Sequence, residues 1–269
     1  MKSTAVISAC FRRDFSISRS YRLAFTFEVL AVLAGLAIFA GVGEFVNSEA
    51  IAKETGVEGG YFAFASVGLA ITGVLTVLCG AFARRVREDQ TTGAFEAMLL
   101  SPTDPRLLVI AGASYEVVKA LVLAVVTLVF AGVVFGVDFS LQAGSILALL
   151  VAFPALLVLI AAVGVAIAAV GVVSKDPGPV VALATAGVAL MSGAYFPLAA
   201  LPDPLPAIAK LVPFTWGLDT LRGALLGSEI QVWKCLALVG VAVVLFPVAL
   251  VAYERAVETA RRHGSLGLY

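Results

Sequence analysis

The chain has 269 residues, 61% hydrophobic and 13% charged, with zero formal net charge and a mean hydropathy of +1.05. A soluble domain carries about 45–50% apolar and about 25% charged residues, so a soluble globular protein, a disordered chain and a free nucleic-acid binder are excluded. The apolar surplus exceeds what an interior of this size can enclose and has to face lipid.

Residues 1–22 carry Lys2, Arg12, Arg13, Arg19 and Arg22 but no continuous apolar stretch, unlike a signal peptide. Ile7, Phe11 and Phe15 recur every fourth residue with Cys10 beside them, while Arg12, Arg13, Ser16 and Arg19 fall mostly elsewhere around the helix. The pattern predicts an amphipathic helix lying in the cytoplasmic interface. The alternative is a disordered basic leader.

Residues 23–269 read as a six-span all-α membrane domain, each span needing about 20 mainly apolar residues. The expected spans are 23–46, 61–82, 107–137, one within 139–174, 180–196 and 235–253. Glu28 and Glu44 lie in the first, Glu116 and Lys119 in the third, Pro154 in the fourth and Pro247 in the sixth. Prolines are tolerated there because neighbouring helices re-satisfy the freed backbone groups. Glu116 and Lys119, three apart, can pair on one helix face, with snorkelling of Lys119 toward the interface as the alternative.

The distribution of Lys and Arg sets the orientation. The side holding both termini carries the five basic residues of the leader, then Arg84, Arg85, Arg87, Arg106, Lys175, Arg255, Arg261 and Arg262. The other side holds only Lys53, Lys210, Arg222 and Lys234. Both termini are therefore expected in the cytoplasm, with the protein in the cell (inner) membrane.

Three connections carry information. The cytoplasmic loop 84–106 opens with arginines; Thr91, Thr92 and Gly93 can start a short helix, which Pro102 and Pro105 end. Over about 92–101 that helix presents Phe95, Met98 and Leu99 on one face with Glu96 nearby. An apolar stripe on a cytoplasmic loop calls for a partner surface, or for lipid. The link 174–179 is a tight cytoplasmic turn. The outer stretch 193–229 is too apolar and too rich in proline for an ordinary loop. Its segments 205–211 and 216–226 are expected as short re-entrant or interfacial helices within about 197–226, forming a lid part-inserted between the fifth and sixth spans. An irregular cap is the alternative. Trp216 suits the interfacial aromatic belt, and Asp219 and Arg222 are spaced to pair.

The scattered cysteines Cys10, Cys79 and Cys235 and the single His263 suggest neither a disulfide framework nor a metal site. No lysine follows a glycine, so no P-loop is present.

Two stretches resemble the permease subunits of type-2 ATP-binding-cassette (ABC) transporters, a family of drug, lipid and polysaccharide exporters. One is GAFEAMLLSP at 93–102, similar to the family's cytoplasmic segment after its second span. The other contains Tyr195, Phe196, Pro197, Pro202, Pro213, Asp219 and Arg222, similar to the signature around the family's re-entrant helices. The resemblance implies a dimer with a second permease copy, or a homologous permease, and two separate cytoplasmic subunits that use ATP and Mg. This chain itself would bind no cofactor and catalyse no reaction. The resemblance further implies a coupling helix at 92–101 and an outward pathway walled by the first, second and fifth spans. Ser66, Thr76, Thr185 and Ser192 are the candidate pathway residues; helix packing is the competing reading of their small-residue stripes. The poverty of aromatics in the fourth and fifth spans favours a hydrophobic drug-like molecule or lipid as substrate, with a polysaccharide or glycolipid as alternative. A membrane-embedded lipid-modifying enzyme is the reading from another class; it needs a cluster of acids or nucleophiles at one depth, whereas Glu28, Glu44, Glu116 and Lys119 read as dispersed.

Overall fold

Long apolar runs broken by few glycines and prolines make helices whose every backbone hydrogen bond is internal, the condition for crossing lipid. The computed structural model describes residues 3–46, 57, 59–93, 103–140, 143–174 and 176–262, and among them all regular structure is helical. The helices are α1 (Ser3–Ser20), α2 (Arg22–Phe45), α3 (Gly60–Thr91), α4 (Pro105–Phe135), α5 (Ala143–Ser174), α6 (Gly178–Met191), α7 (Leu205–Ala209), α8 (Pro213–Leu226) and α9 (Val232–Arg262), with a 3-10 turn at Leu198–Ala200.

Five of these, α2, α3, α4, α5 and α9, are long and apolar enough to cross a membrane. The expected span at 180–196 is instead the 14-residue helix α6. At 1.5 Å per residue it reaches about 21 Å, short of a hydrocarbon core of about 30 Å. Gly193 explains the stop: its φ of +67° ends the helix at a turn, and a Cβ there would stand 2.8 Å from Leu198 Cδ2.

Helix α3 is the central strut. Buried residues cover 72% of its most apolar window, against 6% for α2. It packs on α4, α5, α2, α6 and α8, while α5 and α9 form the most extensive helix pair. Val67, Val74, Leu75, Leu78, Leu156, Ile160, Leu218, Leu221 and Leu238 are fully enclosed where these helices meet. Small residues set the spacing. A Cβ on Gly164 of α5 would lie 2.4 Å from the Phe82 ring of α3, and one on Gly217 of α8 would lie 2.7 Å from Leu156 of α5.

Helix ends follow local chemistry. Asp104 caps α4, its Oδ1 accepting from the Arg106 backbone N–H at 2.8 Å, with Pro105 at the first helical position. Gly136, at φ +68°, closes it. Residues 91–93 end α3, and the helix expected over about 92–101 lies, beyond Gly93, outside the described residues. Thr91 is its last residue, the Thr92 hydroxyl donates to Glu88 O at 2.8 Å, and Gly93 turns away at φ +71°. Pro105 opens α4. Helices α3 and α9 run past their apolar stretches because charges satisfy the extensions, as with Arg85 and Asp89 at 3.0 Å and with Arg262 and Glu258.

Candidate functional site

At one end of the bundle, α8 is tied to α3 and to the turn after α6. Arg222 sits on α8 with 4% of its surface exposed. Its Nε donates to Phe64 O at 3.3 Å, its Nη2 donates to Ala194 O at 2.7 Å, and its Cζ stands 3.5 Å from the Phe64 ring centroid. Burying a guanidinium costs several kcal/mol. Two hydrogen bonds to a charged group, each about 1.5–3 kcal/mol, and a desolvated cation–π contact of about 2 kcal/mol offset that cost. The sequence suggests that Asp219 pairs with Arg222; instead Asp219 Oδ2 accepts from Lys234 Nζ of α9 at 2.6 Å. Arg222 points inward to carbonyls on other helices, a partner choice that helix spacing cannot reveal.

The rest of the outer motif packs around this junction. The Tyr195 ring stacks on Phe39 of α2 at 5.3 Å, tying the turn to the otherwise exposed helix. Phe196 is half-buried, and Pro197 lines a cavity with Arg222. Pro202 O accepts from the Leu205 N–H at 2.9 Å, and Pro213 opens α8. Helices α7 and α8 close on each other: Thr215 Oγ1 donates to Ala209 O at 2.9 Å and Trp216 Nε1 to Lys210 O at 2.8 Å. Trp216 and Trp233 lie 6.2 Å apart. Leu205 is half-buried, whereas Ile208 and Leu211 are exposed.

The other end gathers the arginines. Arg87 of α3 pairs with Asp176 before α6 at 2.8 Å, and Gln90 donates to Val172 O of α5 at 3.4 Å. Arg106, at the start of α4, pairs with Glu254 of α9. Helix α1 lies against α4, where Phe11 and Phe15 enclose the Tyr115 ring at 5.9 and 6.3 Å and Tyr115 Oη donates to Ser18 Oγ. Asp14 stands 3.8 Å from Arg85, which also holds Asp89. Both flanks of the loop 94–102 are therefore cross-tied to the bundle. The candidate coupling residues Phe95, Glu96, Met98 and Leu99 lie outside the described residues.

Between α2 and α4 three of the charges that read as dispersed in the sequence, Glu28, Glu116 and Lys119, come together across helices. Lys119 Nζ is 2.8 Å from Glu116 Oε2 and 3.2 Å from Glu28 Oε1. The partnership with Glu28 crosses helices, so spacing within α4 could not give it. Together with Arg84 and Arg85, these groups border a cavity of about 270 Å³ that also touches α1.

The four candidate pathway hydroxyls lie on α3, on α6 and at the turn after α6, each bonded to a carbonyl of its own helix. Ser66 is buried and donates to Ala63 O, Thr185 is buried and donates to Val181 O, and Thr76 is exposed and donates to Thr72 O. Ser192 is buried, donates to Ala189 O and lines the cavity that Arg222 borders. The functional neighbours that sequence reasoning missed are Phe64, Glu229, Lys234, Asp176 and Glu254. The charged ones carry the only available signal, their placement at the predicted membrane edges.

Long apolar helices, a basic cluster cross-tied at one end and a proline-broken helical cap at the other define a multi-pass helical membrane protein. A family model described as ABC-2 type transporter matches residues 5–226. The chain belongs to that family, whose members are membrane components of transporters. No curated protein matches it.

Proposed function

We propose that this chain is the permease of an ATP-driven exporter, acting as a dimer with two separate ATP-binding subunits. The supporting observation is mechanical. The end of α3 and the start of α4, on either side of 94–102, are pinned to α5, α9 and the turn before α6 through Arg87–Asp176, Gln90–Val172 and Arg106–Glu254. A push that reaches either flank is passed through these ties into the bundle. In this reading Phe95, Met98 and Leu99 dock in a groove of the ATPase subunit, and Glu96 meets a basic group there.

Substrate passes outward between two permease copies, with α2, α3 and α6 along its route and Ser66, Thr76, Thr185 and Ser192 as candidate contacts. The arginine-rich end faces the cytoplasm together with both termini, as the positive-inside rule requires. Helix α6 with the turn after it, and α7–α8 re-entering beside it, complete a sixth crossing. The low aromatic content of α5 and α6 favours a hydrophobic drug-like molecule or lipid over a polysaccharide. Co-purification tests the reading. A tagged chain expressed with its candidate ATPase should retain that subunit through detergent extraction, and substrate should stimulate the ATP hydrolysis of the pair. Isolation of a chain that binds no ATPase would refute it.

A further inference from the structure

We propose that the outer cavity beside α8 binds the phosphate-bearing headgroup of a phospholipid, with Arg222 as the phosphate contact. The cavity measures about 410 Å³ and lies between α3, the turn after α6, α8 and the start of α9. Arg222 lines it while being 4% exposed. Its guanidinium spends Nε and Nη2 on the Phe64 and Ala194 carbonyls. Nη1 has no hydrogen-bond partner, and no carboxylate stands within ion-pair distance of Arg222, among the described residues. The acid nearest in sequence, Asp219, is held by Lys234. The two carbonyls and the Phe64 ring leave Nη1 unmatched, and a planar guanidinium with a free edge matches a phosphate oxygen.

Three further features choose a lipid over a free ion. Phe64 and Leu198 give the cavity an apolar wall beside its polar one. Trp216 and Trp233, 6.2 Å apart on the two helices α8 and α9 that border the cavity, mark headgroup depth in a bilayer. Exposed Glu229 at the cavity rim offers an anionic partner for the ammonium of a zwitterionic headgroup. The proposal rests on the reading that this end of the bundle faces the outer leaflet.

Native mass spectrometry of the delipidated full chain, with its ATPase partner where one co-purifies, tests it. Phosphatidylethanolamine is titrated beside a diacylglycerol of the same chains and inorganic phosphate. One phosphatidylethanolamine should be retained at least about tenfold more tightly than either control, and Arg222→Gln should remove that preference. Because Arg222 also joins helices, Ser228→Trp serves as a second variant. It fills the cavity without touching the guanidinium's carbonyl partners and should weaken binding at least about tenfold with an unchanged melting temperature. Equal retention of diacylglycerol, inorganic phosphate binding as tightly as the lipid, or unaltered lipid binding by a folded Ser228→Trp chain would overturn the proposal. Failure to find an ATPase partner would instead strike the exporter reading and leave the binding result standing.

Discussion

Arg222 on α8 and Gly68 on α3 meet across a single carbonyl. The oxygen of Ala194 accepts from Arg222 Nη2 at 2.7 Å and lies 1.8 Å from where a Cβ on residue 68 would stand. Three elements converge at that atom, so α8 and the turn after α6 are held to the central strut through one backbone oxygen and the Arg222 side chain.

Gly68→Ala should therefore be poorly tolerated. The methyl would strike a carbonyl and an immobilised guanidinium, and the overpacking should cost about 1–3 kcal/mol. A lowered thermal midpoint in detergent checks this. Gly73→Ala on the same helix is the control, since a Cβ there meets nothing within 4 Å.

Lys119 balances two carboxylates between α2 and α4. Removing it as Lys119→Met takes from Glu28 and Glu116 the cation that both approach within 3.2 Å. Glu28 is partly exposed, so a loss of about 1–3 kcal/mol is expected, between the values for surface and buried pairs. Adding Glu116→Gln should restore part of that loss, and a double-mutant cycle on unfolding midpoints and transport measures the coupling.

Sidedness has a direct test. Single cysteines at positions 53 and 210 should react with an impermeant reagent in sealed cells, and cysteines at 87 and 262 only after permeabilisation. Strong labelling at 87 in sealed cells would invert the topology.

The long helices were legible in the sequence because 20-residue apolar runs admit little else in lipid. The extensions of α3 and α9 were less so, since hydropathy stops where Arg84 and Tyr253 begin charged turns that ion pairs keep helical. The shortness of α6 turns on the geometry at Gly193, which composition does not report. At the site, the pairing of Glu116 with Lys119 was readable as a local spacing. Glu28, Phe64 and Lys234 were not, because each meets its partner across helices whose register only packing decides.

The chain by itself should hydrolyse no ATP, because no glycine is followed by the lysine of a P-loop. Phosphate release from the purified polypeptide, free of partners, checks this. Turnover retained after removal of every other subunit would contradict it.

In the proposed function power arrives by contact through 94–102, and substrate-stimulated ATP hydrolysis by the assembled complex measures that transfer most directly. Phe95, Met98 and Leu99 buried in a partner groove would contribute about 1.5–3 kcal/mol each, so one charge among them should undo docking. Phe95→Asp and Leu99→Asp should each abolish substrate stimulation and export and loosen the ATPase subunit, while the permease still inserts and dimerises. Wild-type rates of stimulated hydrolysis and export in both variants would show that the loop does not couple the two subunits.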